Sequence, residues 1–178
     1  MKFKFKIQQY QTDAVENTVS VFTGQPSHRV AEYRRDLGKR SQQQIDLEGE
    51  TGFRNHHIEL DGRTLLKNIN AIQNLYDITP SATLSKGVGA VNLDIEMETG
   101  TGKTYVYIKT MFELNKQYGW SKFIIVVPSI AIREGVAKSF KMLEEHFMEY
   151  YGKKARWFIY NSSNLQQLDS FSSDSGLS

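Results

Sequence analysis

The chain has 178 residues, enough for one domain with a sizeable core but too few for two complete nucleotide-binding lobes. Its 22 basic and 20 acidic side chains leave a formal charge of +2, so overall charge does not mark a nucleic-acid binder, although local patches can still act as one. There is no cysteine, which excludes a disulfide framework and cysteine-based zinc sites.

The first seven residues alternate Lys2, Lys4 and Lys6 with Phe3, Phe5 and Ile7, the period of a half-buried strand with a solvated basic edge. A signal peptide would be continuously apolar there, and no later run is long enough to span a membrane, so a cytoplasmic protein without a membrane partner is expected. Gln8-Gln9-Tyr10-Gln11 follows, in which a glutamine can offer a donor and an acceptor to an adenine edge and a tyrosine can stack on the ring. The ordinary use of such residues at a helix start is a cap or a solvated side chain. From Thr12, expected as the N-cap, Ala14, Val15, Val19 and Phe22 share one helical face up to Gly24 and Pro26.

Residues 27–63 are polar and mixed in charge, with a short strand expected around His57 to Leu60. Arg34, Arg35, Lys39 and Arg40 form the most basic local group, to be read as a solvated face or as a contact to a phosphate backbone. His56 and His57 are adjacent and lack the spacing of a metal site, which favours a structural or surface role. Leu65, Leu66, Ile69, Ile72 and Tyr76 predict a helix that stops before Pro80, and 81–89 is a Ser/Gly-rich loop.

Val91, Leu93 and Ile95 then make a strand-length run that ends in Met97-Glu98-Thr99-Gly100-Thr101-Gly102-Lys103-Thr104. Two glycines followed at once by Lys and Thr are what a phosphate-binding loop needs. The glycines let backbone N–H groups turn inward, Lys103 brings a point charge, and the Thr104 hydroxyl can ligate Mg²⁺ at a helix N-terminus. Met97 stands where the general pattern has its first glycine. The helical spacing of Val106, Ile108, Met111, Phe112 and Leu114 supplies the strand-loop-helix context that a nucleotide loop requires; a Gly-rich turn without ligand is the other reading.

Gly119 is expected to cap that helix, and Phe123-Ile124-Ile125-Val126-Val127 is a continuous apolar run of the kind buried on both faces of a parallel sheet. Strand, helix and strand make a βαβ unit. Pro128 ends the second strand, and Ser129 can cap a helix whose apolar stripe runs through Ile132, Val136, Phe140, Leu143, Phe147 and Tyr150. Arg133 and Lys138 lie off the stripe, near the strand end where open α/β sheets bind ligands. Ala155 to Tyr160 predicts a third strand, after which the chain turns polar and Ser-rich. The expected division is 1–89 as an N-terminal segment, 90–160 as the phosphate-loop portion, and 161–178 as a polar tail. No Asp-Glu pair ends an apolar strand after the loop, so the second Mg²⁺-binding acid and a water-activating acid are not evident.

These residues resemble a family. Thr99 to Thr104 is similar to motif I of superfamily 2 helicases, Tyr10-Gln11 to their adenine-reading glutamine motif, and Pro128-Ser129 sits where motif Ia does. The wording Asp94-Ile95-Glu96-Met97-Glu98-Thr99-Gly100-Thr101-Gly102-Lys103-Thr104-Tyr105, joined with Ile125-Val126-Val127-Pro128-Ser129-Ile130-Ala131-Ile132-Arg133-Glu134-Gly135-Val136, resembles the restriction (Res) subunit of type III restriction-modification enzymes. So do Tyr33-Arg34-Arg35-Asp36-Leu37-Gly38 and Gly52-Phe53-Arg54-Asn55. The resemblance implies an incomplete RecA-like P-loop domain of the α/β class, a parallel sheet with helices on both faces, preceded by a mixed α+β N-terminal segment. It implies ATP and Mg²⁺ as cofactors. By the same token Tyr10, Gln11, Thr99, Gly100, Thr101, Gly102, Lys103 and Thr104 are the nucleotide-binding residues, and Thr104 is the metal ligand. Pro128, Ser129 and Arg133 then lie along a DNA path.

Full-length members are ATP-dependent, site-specific deoxyribonucleases that move along DNA and act with a modification (Mod) subunit. The second lobe with its arginine fingers and the nuclease carboxylates have no counterpart here, so the chain is expected to be the front end of such a subunit and inactive alone. The front portion of another superfamily 2 helicase, or a non-catalytic segment that docks on a partner, stands as the alternative. The resemblance also implies that strands arising later in the family's sequence lie between the phosphate-loop strand and the next, so unpaired strand edges and exposed apolar faces are expected.

Overall fold

The computed structural model describes residues 6–28, 32–34, 52–85, 87, 89, 91–161, 166–173 and 176–178. In chain order the elements are α1 (Gln9–Ser20), β1 (Glu32–Arg34), β2 (Gly52–Arg54), α2 (Gly62–Leu75), α3 (Lys103–Tyr118), α4 (Ile130–Tyr151) and α5 (Gln166–Ser173). β1 and β2 form a short antiparallel pair in which Tyr33 is in register with Phe53.

The helix ends follow local chemistry. Asp61 accepts the Thr64 N–H at 2.8 Å at the start of α2, and Ser129 accepts the Ile132 N–H at 3.3 Å at the start of α4. Gly119 (φ 79°) and Gly152 (φ 64°) close α3 and α4 in the left-handed conformation that a Cβ disfavours. α2 ends the same way with Asp77 (φ 54°) in place of glycine, and the Ile78 N–H reaches back to the Gln73 carbonyl at 2.8 Å.

α3 is the centre of the molecule, because two apolar clusters share it. Val106, Leu114 and Tyr118 pack with Val15, Val19 and Phe22 at α1 and with Leu65 of α2. Around the same helix, Tyr105, Ile108 and Phe112 pack with Leu143 and Phe147 of α4 and with Leu177. Phe112 stacks on Phe147 at 4.7 Å and on Tyr151 at 5.0 Å, which staples α3 to α4 through aromatic faces. Held on both sides, α3 fixes the position of the loop that precedes it.

The expected parallel sheet is not formed. Residues 91–97, 122–127 and 155–160 carry no regular secondary structure: among the described residues none of them is a ladder strand, and the β1–β2 pair is antiparallel. The physical reason is that an apolar pattern records which faces can be buried, whereas a ladder needs a neighbouring backbone at about 4.8 Å. Among the described residues such neighbours are largely absent. Side-chain amides and the chain end supply the partners instead. Asn55 accepts the N–H groups of Ser121 and Lys122 at 2.7 and 2.9 Å and donates to the Lys122 carbonyl at 2.7 Å. Buried Gln25 does the same for the expected strand His57 to Leu60, donating to the His57 carbonyl at 3.1 Å and accepting the Glu59 N–H at 2.8 Å.

One smaller expectation also changes. α1 begins at Gln9, because Gln8 is the N-cap and the Thr12 N–H already bonds to its carbonyl at 3.2 Å. The expected polar tail contains α5 and the buried Leu177. Residues 1–5 of the expected first strand lie outside the described residues, as do Arg35, Lys39 and Arg40, and the side chain of Arg34. No helix among the described residues is long and apolar enough to cross a membrane.

Candidate functional site

The loop before α3 turns on two left-handed glycines, Gly100 (φ 82°) and Gly102 (φ 86°). Glu98 is its internal anchor: its carbonyl accepts the Thr101 N–H at 3.4 Å, the Thr101 hydroxyl at 2.6 Å and Lys103 Nζ at 2.8 Å. Thr99 and Gly100 form the exposed tip. The first intrahelical bond of α3 runs from the Val106 N–H to the Gly102 carbonyl. That leaves the N–H groups of Lys103, Thr104 and Tyr105 at the positive end of the helix dipole.

α1 reaches this loop from the other side. Gln11 Nε2 donates to the Thr101 carbonyl at 2.9 Å, and the Tyr10 hydroxyl donates to the same oxygen at 3.2 Å. Gln11 Oε1 accepts the Gln8 N–H at 3.4 Å, so one side chain ties the start of α1 to the loop 90 residues away. A primary amide has two N–H donors and a carbonyl with two lone pairs, so one donor and one acceptor position of Gln11 remain for another partner. Gly102 leaves the room for this contact: a Cβ there would lie 2.5 Å from Gln11 Nε2.

A cavity of about 270 Å³ opens at this junction, lined by Gln11, Gly102, Thr104 and Tyr105 together with Lys6 and Ser139. It joins the beginning of α1, the N-terminus of α3 and one face of α4. Lys6 places a cation at its edge, and Lys103, the first residue of α3, is exposed beside it. Tyr105 connects the cavity to the α3–α4 interface, its hydroxyl lying 3.3 Å from His146 Nε2. Burial pushes the Tyr105 phenol pKa up, with Tyr150 adding to the effect.

Of the sequence-derived candidates, Tyr10, Gln11, Thr101, Gly102, Lys103 and Thr104 therefore meet in one place. Pro128, Ser129 and Arg133 do not line this cavity. Ser129 caps α4, and exposed Arg133 pairs with Glu134 at 3.1 Å. His56 stacks on His28 at 4.1 Å, and His28 Nε2 lies 2.7 Å from Glu59, so these rings pack against each other on the surface. Sequence reasoning missed Lys6, which the alternating pattern assigned to a solvated edge, and Ser139, which lies off the apolar stripe of α4. Neither has a local signal. Their place follows from how α1 and α4 pack on α3.

The family description "Type III restriction enzyme, res subunit" matches residues 4–168. The chain is 38% identical over 110 residues to the type III restriction-modification enzyme EcoP15I Res subunit of Escherichia coli, and equally to the EcoPI Res subunit of Escherichia phage P1. Each alignment covers 61% of this chain and 11% of the relative. Over 63 residues, 34% of this chain and 6% of the relative, it is 51% identical to the StyLTI Res subunit of Salmonella typhimurium strain LT2. The chain thus spans about a tenth of the length of the curated relatives it matches.

Proposed function

Because the chain belongs to the Res-subunit family of type III restriction enzymes, we propose that its loop at 97–104, with Tyr10 and Gln11, binds Mg·ATP. In this reading it is the front portion of a subunit that moves along DNA at the expense of ATP and cleaves it together with a Mod subunit. The observation that carries the reading is the convergence of Gln11, Gly102 and Thr104 on one cavity at the N-terminus of α3, with Lys103 as the first residue of that helix.

The residues fit the ligand. The N–H groups of Lys103, Thr104 and Tyr105 present donors to a phosphate, and Lys103 can exchange its bond to a neutral carbonyl for a stronger, charge-assisted one. The Thr104 hydroxyl is a suitable hard-cation ligand, and the open donor and acceptor of Gln11 match an adenine edge. Bound Mg²⁺ supplies neutralisation of phosphate charge; the chain's own part is to hold and orient the nucleotide. Pro128, Ser129 and Arg133 are assigned to the DNA path.

The chain alone is expected to turn over ATP little or not at all. Phosphoryl transfer draws on acids and an arginine finger, the latter worth about 10³ or more in rate, and this sequence shows neither in a matching motif. Titration calorimetry with Mg·ATP tests the binding. The unmodified chain should give a saturable heat that Lys103→Ala abolishes. Equal heats in both chains, or none in either, would refute the assignment, and phosphate release that depends on Lys103 would refute the inactivity.

A further inference from the structure

Thr104 and Tyr107 stand three residues apart in α3 and therefore share one face of its first two turns. Long side chains on a helix lean toward its N-terminus, which carries the Tyr107 ring back over Thr104 and toward the glycine loop. The ring is partly buried against the α3–α4 cluster. Its hydroxyl is buried and, among the described residues, has no partner at full hydrogen-bond geometry. The neighbour that it senses is Thr104: burial pushes the phenol pKa up, and the Thr104 side chain draws it partly back down. A hydroxyl that donates to the phenol oxygen acts in that direction.

Thr104 also differs from threonines elsewhere in the helices. Thr18 donates to the Ala14 carbonyl at 2.7 Å and Thr110 to the Val106 carbonyl at 2.8 Å, so each hydroxyl proton is taken up by the preceding turn. Thr104 lies in the first turn of α3, and four residues before it stands Gly100, the left-handed tip of the loop. Its proton has no preceding helical turn to enter. A hydroxyl that turns a lone pair to a cation sends its proton away from that cation, and it needs an acceptor on the far side. The buried Tyr107 oxygen is on the same helix face and is not saturated by another bond.

We propose that Tyr107 is a positioning residue for the metal: its hydroxyl oxygen accepts the Thr104 hydroxyl proton in a hydrogen bond, so that Thr104 presents a lone pair to the Mg²⁺ that accompanies ATP. The inference rests on the Mg·ATP reading above and adds to it a residue that touches neither nucleotide nor metal. No proton is transferred; the bond fixes the rotamer of the ligand, as outer partners of metal ligands do.

Tyr107→Phe keeps the ring and removes the oxygen. Because that oxygen is buried without a full partner, the variant should melt no lower than the parent. The test is ATP binding by calorimetry, in EDTA and in excess Mg²⁺, for the parent chain, Tyr107→Phe, Thr104→Ala and the double variant. Tyr107→Phe should leave the affinity in EDTA unchanged and cut the gain conferred by Mg²⁺ by about tenfold. In the Thr104→Ala background it should leave that gain unaltered. A gain that survives Tyr107→Phe intact would overturn the proposal, and so would losses of equal size with and without Mg²⁺, which a purely structural role would produce. Binding by the parent that depends on Lys103 yet gains nothing from Mg²⁺ would overturn it while leaving the nucleotide assignment in place. No ATP binding by the parent would overturn both.

Discussion

Gly102 combines two constraints that act on one atom. Its φ of 86° disfavours any Cβ, and the Cβ would also lie 2.5 Å from Gln11 Nε2. Left-handed backbone costs a non-glycine residue about 1–2 kcal/mol, and the clash adds to it. Gly102→Ala should therefore lower stability in denaturant unfolding by at least about that amount. Combining it with Gln11→Ala should recover the part due to the clash and leave the part due to backbone conformation. Full recovery in the double variant would mean that the φ carries no strain. Gly100 has the same backbone conformation, but a Cβ there would meet nothing within 4 Å, so only the conformational part applies.

At the scale of elements, α3 and α4 are joined by an aromatic cluster that includes the imidazole of His146. Burial holds the His146 pKa below its ordinary value of about 6.5, the Lys109 ammonium lowers it further, and Glu149 partly opposes both. Above that ordinary value the ring is neutral in both the folded and unfolded chain, and the Tyr105 hydroxyl can donate to unprotonated Nε2. As pH falls through about 6.5, the unfolded chain takes up a proton that the folded chain resists, so stability is lost toward acid. Thermal melting between about pH 7.5 and 5 should show the midpoint falling, with a shallower fall in His146→Gln. Identical slopes for the two chains would mean that His146 contributes nothing to the acid sensitivity.

In the whole molecule, the Asn55 amide is one tie between the segment ahead of α2 and the segment after α3. Asn55 makes three hydrogen bonds to the backbone of Ser121 and Lys122, where a strand neighbour would otherwise sit. Asn55→Ala would orphan the N–H of buried Ser121, and a buried donor without a partner costs about 1–3 kcal/mol. The expected outcome is destabilisation of that order, with faster exchange at the Ser121 and Lys122 amides. A variant as stable as the parent would mean that water replaces the amide without cost.

The sequence by itself determined the four helices α1 to α4 and the loop. Gly100, Gly102 and Gly119 are punctuation with a steric cause, and the spacing from Val106 to Leu114 has a period that only a helix satisfies, so α3 and its phosphate-type turn could be located from residue order alone. The apolar runs at 122–127 and 155–160 were equally visible, yet they state only that these faces can be buried. Whether they become a sheet depends on a neighbouring backbone, a relation between distant segments that no local pattern encodes. Tertiary structure alone decided that Asn55, Gln25 and Ser178 supply the hydrogen bonds that strands were expected to supply. It also brought Gln11 to Thr101 and Lys6 and Ser139 to the same cavity, because those contacts follow from how α1 and α4 pack on α3 and not from the residues beside them.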